Sequence, residues 1–303
     1  DGPFDSAVFQ KIKSTVDRVR TRAMTEAERH PEMSRVIDDA DLRWKQVELE
    51  ASRENPQALD LARQALQCYL APVIWPAGMV FVPPGEVSLG DMPGADTVIV
   101  DGFFIDMTEV TNGQFEQFCE SEGWRQRYAL QSVPREMPVS HTTFYDAEAF
   151  AAWAKKKLPT EVQWARAAYG ERSASPAYPW GNDWQDGLCN SAGTVDGYEG
   201  LAPVGSFEND VTWAGCYDMA GNVSEWTRTQ SAQLPYNPND GREDLAKLFF
   251  GTQVVVRGGN FLDTGRTRLS ARFASLFEAS QPTIGFRCVV ELPSRLEDIE
   301  ALL

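Results

Sequence analysis

The sequence predicts an α+β fold, in which a small helical region precedes a domain of short strands, a few helices and irregular loops. Apolar residues recur at helical spacing as far as about residue 72, where prolines and glycines end the pattern. Beyond this point, short apolar runs alternate with turn residues, as strands do. Strands and helices do not alternate as β-α-β units, which argues against a doubly wound parallel sheet. We therefore predict a helical region at residues 1–72 and a second domain at residues 73–303.

Three amphipathic helices are predicted in the first region. The third begins after Asn55 and Pro56, a capping residue followed by the residue type favoured at the first helical position. Helices in this order form a hairpin or a small bundle. Either they pack on one another and on the next domain, or they provide a docking surface for a partner protein. The apolar stripes of the first two helices are Val8, Phe9, Ile12, Val16 and Val19, then Met33, Val36, Ala40, Trp44 and Val47.

The second domain contains three segments with the composition of strands, which are VIVDGFFIDM, VVVRGGNF and GFRCVVEL. Three helices are predicted as well: one in TNGQFEQFCESEG capped by Thr111 or Asn112, one in DAEAFAAWAKKK from Asp146, and one capped by Thr160. A long stretch rich in Gly, Pro, Ser and Asp follows the third helix. A loop of that length usually has its own support, such as a bound ion or a cross-link.

Charge and composition argue against several functions. The net charge of -16 and the pI of about 4.6 argue against a nucleic-acid partner and against adsorption to anionic lipid. No apolar run of about 18 residues is present, so we expect no membrane insertion. Five scattered cysteines without a CxxC argue against a zinc site and leave disulfide pairing open. The start at Asp1 suggests a removed leader or a piece of a longer chain, so both a cytoplasmic and an exported protein remain open.

Two loops contain pairs of side-chain oxygens that a hard cation prefers. The first, NSAGTVDGYEG, contains Asn190 and Asp196, and the second, YDMAGNVSEWT, contains Asp218 and Glu225. Ordinary turn chemistry explains each loop equally well when it is taken alone. The motifs GxSxG, GxGxxG and the P-loop are absent, so neither a serine triad nor a nucleotide site is indicated.

Taken together, these segments resemble the formylglycine-generating enzyme (sulfatase-modifying factor) family. The resemblance covers roughly residues 75 to 292 and leaves out the N-terminal helices. It implies a variant of the C-type lectin fold for the second domain. The matching segments, in the family's order, are MVFVPPGEVSLG, FFIDMTEVTNGQFEQF, MPVSHTTFYDAEAFAAWAKKKLPTEVQWARAAYG, YPWGNDW, CNSAG, APVGSF, YDMAGNVSEWT, VVRGGNF and IGFRCVV.

The resemblance implies structural calcium at both loops. In each site two side chains and two backbone carbonyl groups would bind the ion, which is the mixture of oxygen ligands that calcium takes. The implied ligands are Asn190, Ser191, Asp196 and Tyr198 for the first site, and Asp218, Gly221, Val223 and Glu225 for the second.

The oxidase chemistry of the family is not expected. Its enzymes hold copper(I) between two cysteine thiolates in the loop after RGGS, and soft thiolates suit that ion. In RGGNFLDTGRTRLSARF, Asp263 and Arg268 stand at the two cysteine positions, and Asn260 replaces the serine. Ser224 replaces the first tryptophan of the family's WEW. The related sulfoxide synthases need three histidines, and this chain has only His30 and His141.

The chain resembles the family but lacks the two cysteine thiolates. This combination predicts a non-catalytic protein, in effect a pseudoenzyme, that binds a protein or peptide ligand through the loop after RGG. Variable receptors of diversity-generating retroelements are similar, because they bind ligands through this stretch. The alternatives are an enzyme with altered chemistry on a peptide substrate, using Asp263 or His141, and an accessory domain of a larger signalling protein. The candidate binding residues are Ser224, Asn260, Phe261, Asp263, Arg266, Arg268 and Arg272; arginine and aromatic residues carry much of the energy at interfaces. Arg257 and Arg287 are expected to pair with core groups.

Overall fold

The computed structural model describes residues 4–89, 97–124, 133–170, 176–193, 195–264 and 268–302. Its architecture is α+β, with helices preceding a domain of mixed helix and sheet, as the sequence predicts. The chain divides into two compact units. The first comprises Asp1–Gly85, Asp101–Phe104 and Glu291–Leu303, and the second comprises Glu86–Val100 and Ile105–Val290. The first unit therefore contains the predicted helical region together with later segments.

The first unit is a helical bundle with the predicted three helices, α1 (Ser6–Arg29), α2 (Ser34–Ser52) and α3 (Gln57–Ile74). The side chain of Asn55 accepts a hydrogen bond from the backbone N–H of Gln57 at 3.1 Å, although the N-cap residue of α3 is Pro56 and not Asn55 as the sequence predicts. Val19, Ala40, Val47 and Ala62 are fully buried, so most of each apolar stripe faces the core of the bundle, whereas Val8 of the first stripe is exposed. No helix among the described residues is long and apolar enough to cross a membrane.

A short C-terminal helix, α7 (Leu296–Ala301), belongs to the same unit. Its Glu300 accepts a hydrogen bond from the hydroxyl of Thr15 at 3.3 Å and lies 3.3 Å from the ammonium of Lys11. The two ends of the chain are thus joined by contacts between α1 and α7.

Nine short strands form three sheets within the described residues. The three-stranded sheet has the order β1-β4-β9, β2 pairs with β3, and the four-stranded sheet has the order β7-β6-β5-β8. In this last sheet β5 runs antiparallel to β6 and parallel to β8, and β6 runs antiparallel to β7. The strands are β1 (Met79–Val82), β2 (Gly85–Ser88), β3 (Thr97–Val100), β4 (Phe103–Asp106), β5 (Ser224–Gln230), β6 (Gln253–Arg257), β7 (Arg272–Leu276), β8 (Ile284–Gly285) and β9 (Val289–Glu291).

The second unit contains three helices, α4 (Asn112–Ser121), α5 (Phe144–Trp153) and α6 (Glu161–Tyr169). Each begins with a capping box in which a threonine and the third helical residue exchange hydrogen bonds. The predicted caps Thr111 and Thr160 are confirmed. The predicted start of α5 at Asp146 is wrong by two residues, because Asp146 is the third residue of the helix and bonds back to the cap. The caps are Thr111, Thr143 and Thr160.

The four-stranded sheet lies between an aromatic core and α6. Trp226, Val254 and Val256 belong to the same buried cluster as Phe115 and Phe150 of α4 and α5. On the opposite face, Arg257 of β6 and Arg272 of β7 form ion pairs with Glu161 of α6. Because other elements pack against both faces of the four-stranded sheet, the loop between β6 and β7 is held at both ends by rigid strands.

Candidate binding pocket and calcium loops

A small pocket lies where the loop after β6 meets the four-stranded sheet, and all four strands of that sheet contribute residues to its lining. Its cavity has a volume of about 190 Å³, and its polar lining includes Ser224, Asn260 and Asp263. Its apolar lining includes Phe273 and Ile284. Small ligands and single side chains are typically held in such mixed concave sites.

Asn260 ties the loop to the sheet. Its amide nitrogen donates to the hydroxyl of Ser224 at 3.2 Å, and that hydroxyl donates to the carbonyl of Gly258 at 3.1 Å. The Asn260 backbone N–H donates to a carboxylate oxygen of Asp263 at 3.0 Å. The amide oxygen accepts from the N–H of Leu262 at 3.0 Å. The three predicted residues therefore form one connected polar wall.

The two glycines before Asn260 are required by the backbone. Gly258 has a φ of +82°, in the left-handed region that side chains disfavour. A Cβ on Gly259 would lie 2.3 Å from the carbonyl oxygen of Ala220, closer than atoms can approach. The glycines thus let the loop pass against the neighbouring turn and begin at a fixed position.

Two further predicted binding residues, Phe261 and Arg268, are not part of the pocket lining. Phe261 is held by its backbone, whose N–H donates to the carbonyl of Asn222 at 2.9 Å. The side chain of Arg268 is exposed to solvent. Arg266 lies outside the described residues.

Arg272 requires a correction, because its guanidinium pairs with the core and not with a ligand. It donates to Glu161 of α6 at 2.7 and 3.2 Å. Arg257 donates to the same carboxylate at 2.6 Å, and Glu161 is fully buried. One arginine of β6 and one of β7 therefore bind the same carboxylate. These two bonds fix the distance between the two ends of the loop that joins β6 to β7.

Several pocket residues on and after β7 were not predicted from the sequence, among them Ser275, Gln281 and Thr283. The alternation of side chains along a strand could have identified Ser275, because Phe273 and Ser275 point to one face of β7 and Arg272 points to the other. Gln281 donates to the hydroxyl of Ser275 at 3.0 Å, which closes this side of the pocket.

No cysteine contributes to the pocket lining. All five cysteines are free and buried. Burial raises the pKa of the Cys216 thiol to about 11, so it is protonated and poorly nucleophilic at neutral pH.

The first candidate calcium loop contains a side-chain oxygen that has no hydrogen-bond partner among the described residues. The amide nitrogen of Asn190 donates to the carbonyl of Gly200 at 2.9 Å, and its oxygen is buried without a partner among the described residues. Both carboxylate oxygens of Asp196 accept backbone N–H groups, from Ser191 at 2.9 Å and from Tyr198 at 3.0 Å. The two side chains and the carbonyls of Ser191 and Tyr198 are the donor types that calcium prefers.

The second candidate loop fits a calcium ion less well. Glu225 is fully buried and accepts from three N–H groups of Arg287 and Trp164. The distances are 2.7 Å from Trp164 Nε1, 2.9 Å from Arg287 Nε and 2.7 Å from Arg287 Nη2. These donors occupy both oxygens, so Glu225 would have to release one of them to bind calcium. Arg257 and Arg287 both pair with buried carboxylates, as the sequence analysis expected.

Two further carboxyl groups, those of Glu109 and Asp210, lie close to Asp218 and Glu225 of this second loop. Burial, followed by repulsion from Asp218, raises the pKa values of Glu109 and Asp210 well above their ordinary values. Burial raises the pKa of Asp218 itself to about 6. One oxygen of Asp210 is buried without a partner in the described part of the chain. Within those residues, no group of three or more His, Cys, Asp or Glu side chains is arranged to hold a metal ion.

Comparison with known proteins assigns the family. Residues 71–292 match the Sulfatase-modifying factor enzyme 1-like domain. The chain belongs to this family. The predicted resemblance is confirmed over nearly the extent that the motifs indicated.

The chain is similar to enzymes and to inactive relatives alike. It is 35% identical over 290 residues to the formylglycine-generating enzyme of Thermomonospora curvata, covering 71% of this chain and 93% of that protein. It is 29% identical over 288 residues to the inactive C-alpha-formylglycine-generating enzyme 2 of Mus musculus, covering 73% and 88%.

Among solved structures, Treponema denticola variable protein 1 has a similar fold. The TM-score is 0.51 at 18% identity, and the match covers 70% of this chain and 94% of that chain. At this identity the likeness concerns the fold alone.

Proposed function

We propose that this chain is a non-catalytic member of the family, which binds a peptide or protein ligand at the pocket formed by Ser224, Asn260 and Asp263. The observation that carries the proposal is the thiol-free pocket on an intact scaffold. The loop begins with Gly258 and Gly259, and its two ends are held by Glu161 through Arg257 and Arg272. The family resemblance places Asp263 and Arg268 at the positions of the copper-binding cysteines. A carboxylate and a guanidinium do not bind copper(I) as thiolates do.

The similarity to a mouse protein named as inactive supports this proposal. The fold likeness to a variable protein is compatible with it, and so is the lectin-type fold that the sequence predicts. Similarity to the Thermomonospora curvata enzyme supports the alternative, an enzyme of altered chemistry on a peptide substrate. The substitutions in the loop favour binding without turnover.

We also propose that the first loop binds structural calcium. The unpartnered oxygen of Asn190 supports the proposal. An ion there would satisfy the buried amide oxygen and hold the loop from Asn190 to Tyr198 in place. For the second loop calcium remains a prediction from the family resemblance.

The binding proposal is tested by selecting peptides on the immobilised protein from a display library of random linear peptides. Selected peptides are then titrated against the variant Thr283→Arg, which places a long charged side chain at the pocket wall. We expect the affinity to fall at least about tenfold, because the side chain occupies part of a cavity of only about 190 Å³.

The matched control is Ala279→Arg, which adds the same side chain to the same segment outside the pocket lining. Equal binding by the native protein and both variants contradicts the proposed pocket. Failure to select any peptide contradicts the proposed function.

A further inference from the structure

Strand β7 forms one edge of the four-stranded sheet. On its inner side all residues from Arg272 to Leu276 pair with β6 in an unbroken antiparallel register. On its outer side no strand pairs with it within the described ranges. An edge strand of this kind presents backbone N–H and C=O groups to which another chain can bond.

β7 lacks the features by which proteins usually block an edge. Natural edges contain proline, lysine or bulges that discourage pairing. The sequence RFASL has neither proline nor lysine, and its one charge, on Arg272, is held by Glu161. Phe273 and Leu276 are 46% and 42% exposed. An open edge with exposed apolar side chains favours pairing with a further strand.

The binding pocket borders this same edge. Phe273, Ala274 and Ser275 belong to β7 and also line the pocket. Alternate side chains of a strand added to the sheet point to the same face. One side chain on the pocket face of such a strand would therefore lie beside the cavity.

We infer that β7 binds an extended peptide segment of a partner protein by strand addition, and that the pocket takes one side chain of that segment. The inference rests on the proposed function and specifies its geometry. Main-chain hydrogen bonds supply affinity in this mode of recognition, and side-chain pockets supply specificity.

Charge favours a different protein as the occupant. The net charge of -16 makes two copies of this chain repel each other, and it repels acidic segments as well. A second copy pairing β7 with β7 would bring two such charges together. The occupant is therefore a neutral or basic segment of another protein.

The test is an N-methyl scan of a peptide selected on the native protein. N-methylation removes one backbone N–H at a time. Strand addition predicts that methylation at every second residue lowers the affinity about tenfold while the residues between tolerate it, since only alternate N–H groups face the partner strand.

The outcomes separate this inference from the proposed function. Sensitivity at a single residue, together with loss of binding to Thr283→Arg, overturns strand addition and leaves the pocket standing. Sensitivity at every second residue, unaffected by Thr283→Arg, supports the edge and contradicts the pocket. Sedimentation of the native protein as a concentration-dependent dimer that excludes the peptide overturns the choice of occupant.

Discussion

The variant Glu161→Gln tests whether one buried carboxylate holds both ends of the binding loop. Glu161 is fully buried and accepts from Arg257 at 2.6 Å and from Arg272 at 2.7 Å. The amide is nearly isosteric, so the change removes charge without opening a cavity. Arg257 is 1% exposed and would be left as a buried cation without a counter-charge.

The expected cost follows from this burial. Removing one partner of a buried ion pair costs about 3–5 kcal/mol. The side chain of Arg272 is 22% exposed and regains water, so we expect about 3 kcal/mol, near the lower limit. For a unit of this size the melting temperature should fall by about 6–12 °C.

The assay is urea-induced unfolding followed by tryptophan fluorescence, with the free energy of unfolding extrapolated to water. Glu297→Gln is the matched control, because its pair with Arg295 is exposed on both sides and should contribute less than about 1 kcal/mol. Hydrogen exchange should also become faster in the loop between β6 and β7 of Glu161→Gln. A loss below about 1 kcal/mol in that variant, or unchanged exchange, would refute the reasoning.

Three further outcomes are expected. Gly221→Ala should destabilise the protein by about 1–3 kcal/mol in urea unfolding, because its Cβ would lie 2.2 Å from the carbonyl oxygen of Asn190, whereas Gly200→Ala has open space and should change little. Calcium should raise the melting temperature of the native protein and of the control Asn239→Ala but not of Asn190→Ala; an equal rise in all three contradicts the first calcium site. Asp218 has a pKa raised from 3.8 to about 6, so its contribution to stability is present at low pH and is lost as pH rises through about 6. When the pH is lowered from about 7 to about 5 in the presence of a chelator, the free energy of unfolding of the native protein should therefore increase by about 1 kcal/mol more than that of Asp218→Asn. Parallel pH profiles of the two proteins would count against this prediction.

Local chemistry explains which parts of the fold could be predicted. Thr111 and Thr160 cap helices because a threonine followed by a glutamine in the third helical position satisfies free N–H groups within a few residues. The start of α5 was misplaced because Asp146 resembles a cap in isolation, while Thr143 takes that position. Helix ends depend on short-range bonds, and two such candidates close together cannot be ranked from composition.

The candidate site was predictable only in part. Asn260 and Asp263 were identified through the family resemblance, which places them in the loop after RGG. Arg272 was misassigned because its partner Glu161 lies more than a hundred positions earlier in the chain, and only the packing of α6 on the sheet brings them together. Likewise, nothing in YDMAGNVSEWT indicates that Arg287 occupies the carboxylate of Glu225.

We propose that the loop without thiols binds a peptide or protein ligand and does not oxidise it. The most direct measurement incubates the protein with copper(I) and a cysteine-containing peptide, and follows bound copper, oxygen consumption and the mass of the peptide together. The account predicts no stoichiometric copper and an unchanged peptide mass. Stoichiometric copper with conversion of the cysteine to formylglycine would contradict it.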